Sequence, residues 1–265
     1  MIRSVLAALA VLTLAATPAL ARTPDTVFLE KLTWAEVREA IAAGKTTIIV
    51  PTGGTEQNGP HMALGKHNTR VGVLAERIAR RIGGALVAPV MAYTPEGSID
   101  PPEGHMRLPG TISVPEPVFR QVIESTARSL KQGGFRDIIL IGDSGPNQTP
   151  QEAVAAALNA EWAGSGTKVH AVREFYRCDE DAKAQAMMKR GIRRDEIGGH
   201  ADVSDTSMMM AIDPSLVRNS KMEAGNGKNG VDGDPRRASA AIGEVLNEMR
   251  VACAVAAIRK SMATR

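Results

Sequence analysis

Residues 48–70, IIVPTGGTEQNGPHMALGKHNTR, decide the fold and locate the chemistry. Ile48, Ile49 and Val50 make a β-branched apolar run of the kind a fully buried strand carries, and Pro51 with Gly53 and Gly54 stops it. Glu56, His61 and His67 follow on a loop interleaved with Gly59, Pro60 and Gly65. A helix is predicted from about Asn68 to Ile82, through Val71, Leu74, Ala75, Ile78 and Ile82. In an open α/β sheet, ligands bind beyond the carboxyl ends of the strands. A carboxylate and two imidazoles delivered there are a candidate metal or acid–base site, because divalent ions such as zinc take those ligands.

The same strand, polar turn and helix recur along the chain. Upstream, Thr33 and Glu36 have capping-box spacing, and Trp34, Val37 and Ile41 mark one face of a short helix ending at Gly44. Downstream, residues 86–93 and 135–141 read as strands and 167–172 as a shorter one, while 116–131, 152–162, 179–191 and 238–258 carry helical patterns. The strand at 135–141 runs into Gly142, Asp143, Ser144 and Asn147. A third polar cluster holds His200 and Asp205 before the Met208–Met210 run, which reads as core filling. Residues 94–111 are too rich in Pro and Gly to pack regularly, so they predict a lid or binding loop, with His105 inside it. Strands alternating with helices predict one α/β domain, its mostly parallel sheet lying between helix layers.

The composition narrows the function. At 265 residues and 43% hydrophobic, the chain can bury one sizeable core. Residues 1–21 read as a signal peptide: Arg3, an apolar run from Val5 to Ala16, and the small-x-small site Ala19-Leu20-Ala21. The mature domain is then 22–265, periplasmic or secreted, with no membrane anchor. Cleavage removes Arg3, so Lys+Arg falls from 32 to 31 against 29 acids. A near-neutral chain with 3% aromatic residues offers nucleic acid neither charge nor stacking surface. Cys178 and Cys253 permit a disulfide in that compartment without requiring one. The Gly-rich turns match neither a phosphate loop nor a dinucleotide fingerprint, and Gly142-Asp143-Ser144-Gly145 is not a nucleophile elbow.

The stretch from Pro51 to His61, PTGGTEQNGPH, with Leu64-Gly65 after it, resembles the entry motif of the creatininase family, P-x-G-[ST]-x-E-Q-H-G-P-H-L-P-L-G-T-D. Leu108–Ser113 looks like that family's F-P-G-T-[IL]-S, Ile141–Asn147 stands where N-G-H-G-G-N is expected, and His200–Ser207 looks like H-A-G-x-x-E-T-S. The resemblance implies a three-layer α/β/α sandwich, often hexameric, and a hydrolase of cyclic amides or other C–N bonds that uses two divalent metals. Glu56 matches its first metal ligand and His200 its proton-transfer histidine. The departures are as informative. Asn58 and Ser144 stand where histidines are expected, His67 where the bridging aspartate is, Pro146 where creatininase itself has a glutamate ligand, and Asp205 replaces a glutamate.

Neutral amide and hydroxyl groups are weak ligands, so the expectation is one ion, zinc or manganese, rather than two. The candidate ligands are Glu56, His67, His61 and Asp143; His200 and Asp205 are the candidate catalytic pair, and His105, Ser144 and Asn147 the substrate contacts. The substrate is a small molecule and the assembly a homo-oligomer. The rival readings are a metal-free extracytoplasmic binding protein on the same fold and a lactonase or esterase. Each residue also has a structural use: Asp205 as a helix cap, Asn147 as a turn brace, His61 as loop packing, and His170 in the core.

Overall fold

The computed structural model describes residues 24–264, so the expected signal peptide at 1–21 lies outside the described residues. Strands β1 (Thr47–Thr52), β2 (Ala85–Val87), β3 (Asp137–Gly142) and β4 (Lys168–Ala171) form one sheet in the order β2-β1-β3-β4, parallel at every pairing. The central pair runs in register from Thr47 opposite Asp137 to Thr52 opposite Gly142, buried at every position. Their side chains alternate between two helix layers, as the period of two demands. Ile49, Ile139 and Ile141 meet α2 (Lys66–Ile82) and α7 (Ala240–Met262), while Ile48, Val50, Ile138 and Leu140 meet α3 (Glu116–Gln132) and α4 (Gln148–Glu161). This is the expected three-layer α/β/α sandwich. Helices α5 (Glu180–Met188) and α6 (Val203–Ile212) join a satellite core with α7 through Met187, Val203, Met208, Ile242 and Leu246. A disulfide joins Cys178 to Cys253, tying the segment before α5 to α7.

The element boundaries differ from the sequence reading in ways that matter. Helix α1 (Trp34–Ala42) has its capping box, but Trp34 is 76% exposed, stacked under the Arg38 guanidinium, and only Val37 and Ile41 reach the core. The strand expected at 86–93 stops at Val87, since Pro89 has no N–H for the ladder, and one bridge at Met91 resumes the contact with β1. Helix α2 begins at Lys66, two residues early, so Lys66, His67 and Arg70 share its opening turns. Helix α6 is capped by Asp202, which accepts from the N–H groups of Ser204 and Asp205. Asp205 is therefore a first-turn residue, with its carboxylate turned elsewhere.

Candidate active site

The carboxyl ends of β1 and β3 open under a cavity of about 610 Å³ lined by Glu56, Lys66, His67, Arg70, His105, Ser144, His200, Asp205 and Arg250, among others. Glu56 is its centre, 1% exposed on the loop after β1. Its Oε1 lies 2.6 Å from His67 Nε2, 3.5 Å from Lys66 Nζ and 3.7 Å from His200 Nδ1, and its Oε2 lies 3.2 Å from His105 Nε2. Burial alone would raise the Glu56 pKa, but His67 and Lys66 outweigh it and hold the carboxyl well below its ordinary value.

A layer of ion pairs lies beneath. His67 Nδ1 and Arg70 Nε each sit 2.8 Å from Asp143 Oδ2, and Arg250 binds the other oxygen of Asp143. Arg70 Nη1 is 2.7 Å from Asp205 Oδ1, and Lys66 Nζ is 2.9 Å from Asp205 Oδ2. Burial and Lys66 oppose protonation of His67, yet the two carboxylates flanking the ring raise its pKa overall. Asp205, despite its burial, is held well below the ordinary range by Lys66 and Arg70. Helix N-termini favour acids by ~0.3–1 kcal/mol each. Here the first turn of α2 carries no acid, and its cations are kept there by carboxylates from other elements.

Gln57 fixes the two imidazoles above Glu56. Its Oε1 accepts from Gly59 N at 3.0 Å, so its amide nitrogen is the donor that meets His105 Nδ1 at 2.8 Å. His200 Nε2 lies 2.9 Å from the Gln57 carbonyl oxygen, which can only accept, so that nitrogen carries the proton. The lone pair of Nδ1 is left facing the Glu56 carboxylate. Burial, then Lys66, lowers the His200 pKa to about 4, so the ring is neutral at neutral pH. The next residue, Ala201, is held at a left-handed φ of +52°, with its N–H on Asp205 Oδ2 at 3.1 Å.

The structure thus gathers Glu56, His67, Asp143, Asp205, His105 and His200 into one network, with Ser144 on the cavity wall. It sets two candidates apart. His61 Nε2 is 2.9 Å from Thr206 Oγ1, which turns the ring toward α6 and away from Glu56. Asn147 braces the loop after β1, its amide donating to Thr52 O, Thr52 Oγ1 and Gly53 O, and it is fully buried. Asp143 is fully buried and faces three basic partners, His67, Arg70 and Arg250, so it serves the ion-pair layer. Asn58 points its amide at the carbonyls of Glu56 and Ala63, so it holds the loop.

Sequence reading missed Glu96, Lys66, Arg70, Arg250 and Gln57. Glu96 comes from the long loop and is 1% exposed; it hydrogen-bonds to Glu56, accepts from Thr94 Oγ1 at 2.7 Å and meets Ser144 Oγ at 3.3 Å. A side chain at Gly54 would collide with its Oε1. Burial, then the Glu56 charge, raises its pKa to about 8. The one available signal was a glutamate, Thr94-Pro95-Glu96-Gly97, in a loop already expected to serve the site.

The donor set fits a divalent ion. One ligand atom each from Glu56, His105 and His200 lies within 4.8 Å of the other two, and an imidazole lone pair facing a carboxylate oxygen calls for a cation between them. Beneath it, Asp143 and Asp205 already face Arg70, Arg250 and Lys66, so these two carboxylates are engaged by the chain's own cations.

The family model described as Creatininase: Creatinine amidohydrolase matches residues 30–258. The chain belongs to the creatininase family. It is 30% identical over 194 residues to the creatinine amidohydrolase of Pseudomonas putida, covering 72% of this chain and 74% of that one. It is 26% identical over 232 residues to a mycofactocin precursor peptide peptidase of Mycolicibacterium smegmatis, covering 78% and 82%. It is 24% identical over 205 residues to a 3-dehydro-scyllo-inosose hydrolase of Thermotoga maritima, covering 73% and 58%. Among solved structures, a manganese creatininase superposes with a TM-score of 0.74 at 25% identity over 89% of this chain and 98% of that one. A mutant creatininase described as Zn–Zn type gives 0.74 and 25% over 90% and 99%. These creatininase-family relatives are hydrolases, so the chain is a family hydrolase, and the geometry above must perform hydrolysis.

Proposed function

We propose that the chain hydrolyses an amide or other non-peptide C–N bond of a small molecule, outside the cytoplasm, with a single zinc or manganese ion. The observation that carries this reading is the convergence of Glu56, His105 and His200 at the floor of a cavity sized for a small ligand. When bound there, such an ion polarises a carbonyl and supplies a water acidic enough to ionise near neutral pH.

The chain's own groups do the rest. The Gln57 amide donates to His105 and its backbone carbonyl accepts from His200, which sets both rings, and Asp205 holds Lys66 and Arg70 beneath the cavity. Glu96 keeps a proton at neutral pH on its bond toward Glu56, and that shared proton, next to the cavity, is the one to be passed to a leaving nitrogen, while the Ser144 hydroxyl donates to Glu96 and steadies it. This moves the acid role expected of His200 to the Glu96 and Glu56 pair. Localisation rests on the leader at 1–21. Assembly as a homo-oligomer, up to a hexamer, follows the family resemblance.

Elemental analysis of the protein purified without chelator should return about one zinc or manganese per chain, a mononuclear count. A panel of cyclic and linear amides, with lactones as the control, should then show C–N cleavage that Glu56→Gln abolishes. No stoichiometric metal, or turnover of lactones alone, would sink the proposal.

A further inference from the structure

Lys66 is 0% exposed, yet it borders the cavity floor, and its ammonium reaches toward two carboxylates, Asp205 at 2.9 Å and Glu56 at 3.5 Å. It opens α2, the end of a helix where a positive charge is disfavoured, in a turn that carries no acid of its own. A sequence that breaks a local rule at the centre of a site is usually compensated by function. Asp205 is likewise turned to Lys66 and Arg70, while Asp202 does the capping.

We propose that Lys66 is a built-in second cation of the centre. Its ammonium takes the place between Glu56 and Asp205 that a second divalent ion would need, and supplies positive charge there permanently. The inference rests on the single-ion reading above and explains why the count is one, where a structural neighbour is described as Zn–Zn. Lys66 and His67 lie on one side of the Glu56 carboxylate, leaving the side that faces His105 and His200 for the one ion. An ammonium has three donors, and two of them face Asp205 and Glu56. At 0% exposure the ammonium acts on the cavity through its charge and not through a bond to the molecule inside it. Arg70 and Arg250 cannot take this role, because Asp143 and Asp205 hold their guanidinium groups below the floor.

The test uses the metal alone. Chelator-treated wild type, Lys66→Arg, Lys66→Met and Lys66→Gln are dialysed against zinc or manganese, and bound metal is counted per chain while thermal unfolding monitors the fold. Wild type and Lys66→Arg should saturate at one ion. Lys66→Met should rise to two, with its melting temperature climbing at metal concentrations that no longer move wild type. Lys66→Gln keeps a donor for Asp205 without the charge and should behave as Lys66→Met does, which keeps the test alive if the methionine variant fails to fold. Two ions on wild type, or one on both neutral variants, would overturn the proposal. No ion on wild type and one on the neutral variants would refute the single-ion reading while keeping Lys66 as the stand-in cation, and none on any variant would overturn both.

Discussion

Glu96 makes the sharpest prediction, because its burial couples the site to the stability of the whole domain. Its folded pKa of about 8 lies above the ~4.3 of an unfolded glutamate. The folded state therefore holds a proton that the unfolded chain releases as pH rises through that window, so Glu96 costs increasing stability from about pH 4 to 8 and no more beyond it. At ~1.4 kcal/mol per unit, the cost is about 4 kcal/mol at pH 7 and about 5 kcal/mol above pH 8. Glu96→Gln removes the titration and keeps the shape: the amide oxygen still accepts from Thr94, and the amide N–H replaces the acid proton toward Glu56. Thermal unfolding of both proteins after chelator treatment should coincide near pH 4. The variant should be more stable by roughly 8 to 15 °C at pH 7, using ~2–4 °C per kcal/mol for a domain of this size. Acids remote from Glu96 titrate equally in both proteins and cancel, and Glu56, held well below its ordinary value, stays ionised across the window measured. A gap that stays constant between pH 4.5 and 8.5 would refute the reasoning.

The remaining predictions follow from single contacts. Asp205→Asn takes from Lys66 and Arg70 one of the two carboxylates each of them faces in the buried layer and should cost about 3 kcal/mol, read by denaturant unfolding. Asn147→Asp loses an amide that donates to three oxygens and should destabilise the fold by about 2 kcal/mol; the same loss as a pure KM effect, with stability unchanged, would restore Asn147 to the substrate. Cys178→Ser with Cys253→Ser opens a loop spanning 75 residues and should lower stability by about 4 kcal/mol, measured as the shift in denaturation midpoint between the oxidised protein and the double variant. Below pH 4 the domain should lose stability, because Glu56 and Asp205 have depressed folded pKa values. Their contribution is complete above the unfolded value and disappears as pH falls through the folded one.

The fold was legible because its signal is redundant. Ile48–Val50 and Ile138–Ile141 are apolar at consecutive positions, a pattern only a strand buried on both faces sustains, and each is followed by a helix-period run. The loops that deliver Glu56, Asp143 and His200 were legible for the same reason, since polar groups after such strands have one place to go. What sequence could not supply was pairing. Asp143 and His67 are 76 positions apart and Lys66 and Asp205 are 139 apart, and no local pattern states which cation meets which acid. Trp34 shows the converse error: periodicity put it on the buried face, and a cation four residues on held it outside.

Two residues of helix boundary changed the chemistry more than any missed element. With α2 starting at Asn68, Lys66 and His67 are loop groups free to ligate; with α2 starting at Lys66, they are fixed on its first turn over Asp143 and Asp205. The choice is not made by helix propensity, because lysine and histidine at an N-terminus oppose the helix dipole. It is made by carboxylates on the turn after β3 and on α6, which are distant in sequence from α2. If that account holds, Asp143→Asn should fray the first turn of α2 before it unfolds the sheet, seen as faster amide exchange at residues 66–70 with protection of β1 and β3 retained. Uniform loss of protection across all three elements would mean that the turn is held by packing and that the ion pairs merely fill it.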